Sequence, residues 1–275
     1  MQVVGVSLVR NEDRFIRRAL LNVADFCDHL FVADHLSNDH TPALLGELVR
    51  ELDHLEVRRV RDAAQSHAFV ERFVDSDTWV LSVDGDELYD PAGLQRLRAA
   101  LEDGEYADVF RIRPAGLHCD ALHEETGTAA GYLSPPSRPL VGLFNLAVVE
   151  SWRNVRRERL HGGEVVFRPG FDWESWRHLG MDEGWEASAF RCLHACFLRR
   201  SSKDDQELPD GGRPNLNETG AHRRGPRGRA ERLARRALGR LPVNAAEHSA
   251  WKAEKYRRGD RVTVDASPFL GHVLT

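Results

Sequence analysis

The chain has 275 residues, a length that allows one main domain with a smaller attached region. Hydrophobic residues (41%) and charged residues (29%) occur in the proportions of an ordinary globular protein, which excludes a disordered or a fibrous class. The net charge of −5 and the lack of aromatic residues among the basic ones argue against a nucleic-acid partner.

The cysteine pattern and the N-terminal segment indicate the compartment. Four cysteines, Cys27, Cys119, Cys192 and Cys196, are too few and too scattered for a disulfide framework, so we expect reduced thiols. The first residues enter an apolar strand directly, without the pattern of a signal peptide, and no segment is apolar enough to span a bilayer. We therefore expect a cytoplasmic protein.

Apolar runs alternate with helical patterns over the first hundred residues, which predicts βαβ units and a mainly parallel sheet. The predicted strands are 3–9, 29–33, 55–60 and 79–83. The predicted helices begin with a cap at Asn11, at Thr41-Pro42, near residue 64 and at Asp90-Pro91. The pattern predicts an α/β class, in which a Rossmann-type sheet is flanked by helices.

Polar clusters follow three of the predicted strands. They are Arg10-Asn11-Glu12, Asp34 and the stretch from Asp84 to Glu87. Because ligands bind at the carboxyl ends of the strands in doubly wound sheets, these clusters predict a binding site at that edge.

The later part of the chain has a less regular pattern. Strands are predicted at 109–113, 140–144, 165–167 and 190–198, a mobile loop at 201–226 and a basic helix at 229–241. The predicted organisation is a main domain over 1–200, with a nucleotide-binding half (1–105) and an acceptor half (106–200). Residues 201–275 are expected to add the loop and a helical extension.

Two carboxylates stand two residues apart after the strand at 79–83. Asp84 and Asp86 flank Gly85, which permits an unusual backbone turn and a close approach of a ligand. Two hard carboxylates suit Mn²⁺ or Mg²⁺ on a diphosphate. We expect both side chains at the edge of the sheet rather than in its core.

The run Trp79 to Glu87, together with Val6 to Glu12, resembles the family 2 glycosyltransferases of the GT-A fold. The resemblance covers about residues 3 to 100 in the same order, and the second half matches loosely. It implies a metal-dependent, inverting transfer of a sugar from a nucleoside diphosphate donor (UDP, GDP or TDP) to an unidentified acceptor hydroxyl.

The same resemblance implies residue roles at the nucleotide. The loop Val9-Arg10-Asn11-Glu12 would lie along the base and ribose, and Asp34 would contact the nucleoside. The segment after Asp34 lacks the two glycines of the family pattern, which changes the expected loop geometry. Arg61 and Gln65, which precede the metal strand, are further candidates for nucleotide contacts, with a solvated helix position as the alternative.

A late histidine often completes the metal site in enzymes of this fold, and His194 is the best match. A core histidine is the alternative, and zinc held by Cys192, His194 and Cys196 is a weaker one because one-residue gaps are not structural-zinc spacing. The catalytic base in the family lies before this histidine. Asp182 and Glu183 are the leading candidates, with Glu150 as the alternative.

The basic helix at 229–241 has an amphipathic pattern, which is consistent with peripheral membrane contact or with docking on its own domain. Two rival functions stay open. A sugar-1-phosphate nucleotidylyltransferase would need a glycine-rich loop after the first strand, and Val9 to Asp13 contains no glycine. A non-catalytic nucleotide-sugar-binding protein would not need both Asp84 and Asp86.

Overall fold

The computed structural model describes residues 1–153, 160, 163–204 and 245–271. In chain order the strands are β1 (Gln2–Val9), β2 (His29–Asp34), β3 (Leu55–Arg59), β4 (Thr78–Val83), β5 (Glu87–Tyr89), β6 (Arg111–Arg113), β7 (Ala115–His123), β8 (Thr128–Ser134), β9 (Leu143–Asn145), β10 (Val149–Arg153), β11 (Glu164–Phe167), β12 (Trp176–His178), β13 (Arg191–His194) and β14 (Arg261–Asp265). The helices are α1 (Ile16–Ala24), α2 (Thr41–Glu51), α3 (Ala68–Glu71), α4 (Pro91–Glu102), α5 (Leu179–Asp182), α6 (Gly184–Ala187), α7 (Ala245–Tyr256) and α8 (Ser267–Leu270). Short 3-10 helices occupy Ala63–His67 and Leu146–Val148.

The larger sheet has seven strands in the order β12-β6-β9-β4-β1-β2-β3. Strand β1 pairs in parallel with β2 and β4, and β2 pairs in parallel with β3. Strand β9 is antiparallel to both β4 and β6, whereas β12 is parallel to β6. Strands β1, β2, β3, β4, β6 and β12 therefore point the same way, and their carboxyl ends meet at one edge.

Apolar side chains cover both faces of this sheet, as the near-continuous apolar runs of its central strands require. One face packs on α1, α2 and α4 through residues such as Val3, Leu20 and Leu97, which are fully or almost fully buried. The other face holds aromatic side chains, including Phe31, Phe144 and Trp152. The parallel pairing of β1 with β2 and β4 places the loops that follow these three strands next to one another.

A second sheet of five strands has the order β14-β8-β7-β13-β5. Strand β5 follows directly from the turn after β4 and pairs antiparallel with β13, His194 opposite Glu87. This pairing brings a strand from residue 191 onward beside the carboxyl edge of the larger sheet. The C-terminal part is not only helical, because β14 pairs with β8. The domain boundary at residue 200 stays a prediction.

The predicted α/β class is confirmed in its coarse form, since sheets and helices are mixed along the chain, with differences in detail. Helix α1 has Phe15 rather than Asn11 as its cap residue, and Asn11 adopts a left-handed conformation (φ 56°). Strand β13 ends at His194, earlier than predicted. The predicted basic helix at 229–241 and nearly all of the predicted loop at 201–226 lie outside the described residues. No helix in the described part of the chain is long and apolar enough to cross a membrane.

Candidate active site

Two loops meet at the carboxyl edge of the larger sheet, after β1 and β2. The backbone N–H of Asn11 donates to Ser37 Oγ (2.9 Å), and that of Glu12 donates to Thr41 Oγ1 (2.8 Å). Asp34 is buried and accepts from the Ser37 N–H at 2.9 Å. The predicted nucleotide loop Val9 to Glu12 and Asp34 thus lie side by side, Val9 being the register partner of Asp34.

The segment between Asp34 and Thr41 folds without the glycines of the family pattern. Leu36 has the left-handed backbone conformation there (φ 56°), and the residue is 40% exposed. A non-glycine residue in this region is uncommon and costs free energy. Polar side chains hold the segment: Asp39 Oδ1 accepts from the Thr41 N–H at 2.9 Å, and Asn11 Oδ1, from the loop after β1, accepts from the Asn38 N–H at 2.8 Å.

Asp86 is the central acid of the site, and it is buried rather than lying at an open edge as we expected. Only 1% of the residue is exposed. Its Oδ2 accepts from Arg200 Nη1 at 2.8 Å, and the same Nη1 lies 3.6 Å from Glu12 Oε1. Burial opposes the charged form, but attraction by Arg200, His194 and Lys252 outweighs it and lowers the pKa of Asp86 to about 2. Asp86 is therefore an anion at neutral pH.

His194 faces the same carboxylate. The backbone N–H of Ala195 donates to the Asp86 carbonyl at 2.8 Å, which fixes the end of β13 beside the turn after β4. His194 Nε2 consequently lies 3.5 Å from Asp86 Oδ2. Burial lowers the pKa of His194 to about 4 despite the attraction of Asp86, so the imidazole is neutral at pH 7. A buried carboxylate and a neutral imidazole nitrogen thus converge on one point.

Asp84 and Glu87 complete the turn after β4. Asp84 is half-buried, and its charge acts on the same imidazole of His194. Glu87 is buried, and its Oε2 accepts from the Asp84 N–H at 3.2 Å and from the Tyr89 hydroxyl at 3.1 Å. Glu87 therefore stabilises the turn that presents Asp84 and Asp86.

Gly85 allows the first loop to approach this turn. A Cβ at residue 85 would lie 2.7 Å from Glu12 Cγ and 3.3 Å from Val9 Cγ1. The expected close approach is present, but the close neighbour is the loop after β1. Gly85 does not have a left-handed φ, so it is this close packing, rather than a left-handed backbone, that requires a glycine here.

Replacement of this glycine should separate the two loops. We expect Gly85→Ala to destabilise the fold by about 1–3 kcal/mol, the usual cost of overpacking, and to weaken nucleotide binding. The control is Gly46→Ala in α2, where a new Cβ meets nothing within 4 Å. Since alanine favours helix over glycine, that variant should gain about 0.5–1 kcal/mol. Urea unfolding measures both, and equal stability of the two variants would contradict this packing.

Two candidates for nucleotide contacts, Arg61 and Gln65, lie on the rim beyond β3. Gln65 Oε1 accepts from the N–H groups of Arg61 (2.9 Å) and Asp62 (3.1 Å). Asp62 in turn caps the Ala63–His67 helix by accepting from the Ala64 N–H at 3.0 Å. This capping box accounts for the side-chain oxygen of Gln65. A nucleotide contact by either residue stays a prediction.

The candidate bases come from other elements than the turn that carries Asp86: Asp182 and Glu183 follow β12, which β6 and β9 separate from β4. Asp182 ends α5, is exposed, and its Oδ2 lies 3.2 Å from Arg177 Nε. Glu183 is the next residue and is also exposed. Glu150 is exposed on β10, which pairs with β11 in a separate two-stranded sheet.

Three further residues of the site were not predicted from the sequence. Arg200 contacts Asp86, buried Lys252 donates to the Cys196 carbonyl at 2.7 Å, and His118 Nδ1 lies 2.9 Å from His194 Nδ1. The pair Arg199-Arg200 stands directly after an apolar run that ends at Leu198, and polar residues in that position were the signal that marked the other strand ends. The sequence around His118 and Lys252 has no comparable signal. Their closeness to Asp86 and His194 depends on where β7 and α7 lie in the folded chain.

The zinc alternative does not hold as predicted. Among the described residues, the cluster with ligand atoms within 4.8 Å of one another consists of His118, His194 and Cys196. Cys192 is not part of this cluster and is buried in the apolar core that also includes Tyr89 and Phe190. The strand ends at His194, so the alternation that would have aligned the three predicted residues stops there.

Buried histidines make the stability pH-dependent. Burial lowers the pKa of His194 and of His178 to about 4, whereas an unfolded histidine titrates near 6.5. Between these values the unfolded chain binds protons that the folded chain does not, so the free energy of unfolding falls as the pH drops from about 6.5 to 4. The stabilisation from the ionised Asp86 is lost only at lower pH, as the pH falls from about 4 toward 2.

In His194→Gln, the free energy of unfolding should fall by up to about 3 kcal/mol less than in the parent as the pH drops from 7 to 4. One pKa unit corresponds to about 1.4 kcal/mol. Urea unfolding of the metal-free parent and variant between pH 7 and 4 measures this difference. Parallel curves for the two proteins would show that His194 is not held neutral by burial.

No family model matches the chain. A TPR repeat-containing protein of Synechococcus elongatus is 31% identical over 125 residues, which are 46% of this chain and 28% of that protein. The chain therefore spans less than a third of that relative.

Three solved structures show limited similarity. The mannosyltransferase PcManGT from Pyrobaculum calidifontis, in complex with GDP-Man and Mn²⁺, has a TM-score of 0.41 and 15% identity over 92% of this chain and 74% of its own. TarS from S. aureus has a TM-score of 0.38 and 18% identity over 54% of this chain and 29% of its own. Mannose-6-phosphate isomerase from Helicobacter pylori has a TM-score of 0.30 and 13% identity over 45% of this chain and 52% of its own. At this level of similarity, function has to be inferred from the residues of the site.

Proposed function

We propose that this chain is a glycosyltransferase that moves a sugar from a nucleoside diphosphate donor to an acceptor hydroxyl with the help of Mn²⁺ or Mg²⁺. The observation that supports it most is the convergence of the buried Asp86 carboxylate and His194 Nε2, 3.5 Å apart, beside the loop Val9 to Glu12. This convergence lies at the sheet edge where α/β folds bind nucleotides.

The donor atoms fit a divalent cation. Asp86 Oδ1 is buried and makes no hydrogen bond within the described part of the chain, so an anionic oxygen is available there. Carboxylate oxygens suit Mg²⁺ and Mn²⁺, and imidazole also binds transition metals. Asp86 and His194 would hold the cation, and Asp84 would reach it directly or through water.

Arg200 supplies positive charge at the same place. Its guanidinium lies 2.8 Å from Asp86 Oδ2, so it neutralises that oxygen in this structure. Arginine also binds phosphate oxygens well. In the donor complex Arg200 would turn from Asp86 toward the diphosphate. The contact equally supports a second candidate, a transferase without a metal in which Arg200 and Lys252 supply the charge.

The cation, when bound, acts as a Lewis acid that stabilises the charge on the leaving diphosphate. The loop Val9 to Glu12 and Asp34 would position the nucleoside, with Arg61 and Gln65 at the rim. A carboxylate would take the proton of the acceptor hydroxyl, and we expect inversion at the anomeric carbon.

Strand direction favours the pair Asp182 and Glu183 as this base. Both follow β12, which runs in the direction of β4 and so ends at the edge that carries Asp84. Glu150 follows β9, which runs the opposite way and ends near Trp79, at the start of β4. The acceptor would accordingly enter from the side of α5.

The rival functions have less support. A nucleotidylyltransferase would need a glycine-rich loop after β1, but the chain has Arg10, Asn11 and Glu12 there, held by Ser37 and Thr41. A binding protein without catalysis would not need an ionised Asp86 facing His194. A cytoplasmic location, without nucleic acid as a partner, remains part of the proposal.

A thermal-shift experiment tests the binding part of the proposal. UDP, GDP and TDP are each added with Mn²⁺ or with a chelator, at about one hundred times the expected dissociation constant. Binding to the native state alone adds about 2.7 kcal/mol, which raises the midpoint by about 5 °C or more. One nucleotide should give this shift with Mn²⁺ only. An equal shift with chelator would favour the metal-free candidate, and no shift with any nucleotide would contradict the proposal.

A further inference from the structure

A buried pair of histidines continues from the metal site into the second sheet. His118 on β7 is completely buried and lies opposite His194 in the parallel pairing of β7 and β13. The two Nδ1 atoms are 2.9 Å apart, and the rings of Tyr256 and His118 pack in a T-shaped arrangement with a centroid distance of 4.6 Å. The glycosyltransferase proposal assigns no role to His118.

The hydrogen bonds determine which nitrogen of each ring carries a proton. His118 Nε2 lies 2.8 Å from the Arg138 carbonyl oxygen, which can only accept, so this nitrogen donates. The ring of His118 is completely buried, which disfavours a charged imidazolium, and its Nδ1 faces another ring nitrogen rather than a carboxylate, so its Nδ1 carries a lone pair. His194 Nδ1 must then be the donor in the contact between the two rings.

This assignment leaves the lone pair of His194 on Nε2, the nitrogen that faces Asp86. The distance of 3.5 Å to Asp86 Oδ2 agrees, because an N–H donor would normally approach a carboxylate oxygen to about 2.7–3.2 Å. Two acceptors that face each other across this gap are arranged for a cation between them. Metal-binding histidines usually have their other nitrogen fixed in this way by a second residue.

We propose that His118 is a positioning residue for the metal site: by accepting a hydrogen bond from His194 Nδ1, it keeps the Nε2 lone pair of His194 directed at the cation beside Asp86. The inference rests on the proposed metal site. The metal-free chain should have the same tautomer, because His118 sets which nitrogen of His194 is protonated whether or not a cation is bound.

Three variants separate this role from packing. His118→Phe keeps a ring in the cavity but removes the acceptor. His118→Asn places a side-chain oxygen near the position of Nδ1 and can still accept from His194. The matched control is His178→Phe on β12, which makes the same change at another buried histidine whose pKa is also lowered.

The first measurement uses the metal-free chain. Long-range ¹H–¹⁵N correlation spectra, with the His194 signals assigned by His194→Gln, should show the proton of His194 on Nδ1 in the parent, in His118→Asn and in His178→Phe. In His118→Phe the proton should move to Nε2. A parent with the proton on Nε2, or a parental pattern in His118→Phe, would overturn the inference independently of any metal.

The second measurement is the affinity for Mn²⁺ in the presence of the nucleoside diphosphate that the thermal-shift screen selects, read from the free-ion signal in electron paramagnetic resonance. We expect His118→Phe to bind about tenfold more weakly, the lower end of the usual effect of such second residues. His118→Asn should return to within about threefold of the parent, and His178→Phe should match it. Parental affinity in His118→Phe would overturn the inference. A parent that binds no Mn²⁺ while the spectra show the expected tautomers would instead contradict the metal in the proposed function.

Discussion

Asp86→Asn is expected to abolish Mn²⁺-dependent nucleotide binding and to lower the free energy of unfolding by about 3 kcal/mol. The carboxylate is buried against Arg200 at 2.8 Å, so its removal leaves a buried cation with less compensating charge. Breaking one side of a buried ion pair typically costs about 3–5 kcal/mol, and Glu12, 3.6 Å from the same guanidinium, reduces that cost. Calorimetric titration with nucleotide and urea unfolding measure the two effects.

A double variant distinguishes the loss of the ligand from the loss of stability. Asp86→Asn combined with Arg200→Gln removes both charges of this pair and should recover part of the stability without recovering Mn²⁺ binding; the recovery is partial because Glu12 also loses the guanidinium 3.6 Å away. Asp84→Asn serves as the milder comparison, because this side chain is half-buried, and we expect weaker binding with a nearly parental stability. If Asp86→Asn bound Mn²⁺ and nucleotide as the parent does, Asp86 would not be a metal ligand.

The catalytic base should give the largest effect on rate. We expect either Asp182→Asn or Glu183→Gln to lower turnover by about two to four orders of magnitude while donor affinity stays nearly unchanged, the usual contribution of general-base catalysis. Glu150→Gln is the matched control, because it makes the same change at an exposed acid that follows β9. That strand ends near the start of β4, at the edge of the sheet opposite to Asp84. Single-turnover transfer and nucleotide titration measure rate and affinity separately.

Arg177 offers a further check on this base. It pairs with Asp182 at 3.2 Å on the surface, so the loss of turnover should not be accompanied by a large loss of stability, since exposed ion pairs contribute about 0–1 kcal/mol. If both acceptor-side variants kept near-parental turnover and Glu150→Gln did not, the base would be Glu150.

The first hundred residues carried strong local signals, which explains why their structure could be predicted. The apolar runs of β1 and β4 end at polar clusters, and Asp90-Pro91 begins α4 as expected. The hairpin of β7 and β8 was missed. Its strands contain many alanines and glycines, which lack the β-branched and aromatic enrichment of typical strands.

The site itself could be predicted only in part. Asp84, Asp86 and the loop after β1 follow strands directly, so sequence position places them at the binding edge. Arg200 is 114 residues from Asp86 in sequence, and His118 is 76 residues from His194. Contacts between such distant segments depend on the pairing of β13 with β5 and β7, which no local pattern specifies. The burial of Asp86 was missed for the same reason, because the covering groups come from beyond residue 190.

The proposed sugar transfer at Asp86 is tested most directly by the release of nucleoside diphosphate from UDP-, GDP- and TDP-sugars. Water can replace the acceptor hydroxyl as the nucleophile when no acceptor is present. We expect release from one of these donors by the parent with Mn²⁺, a strong reduction with chelator, and no release by Asp86→Asn combined with Arg200→Gln. Equal release by that double variant, or no release from any donor although a nucleotide binds, would contradict the proposed transfer at Asp86.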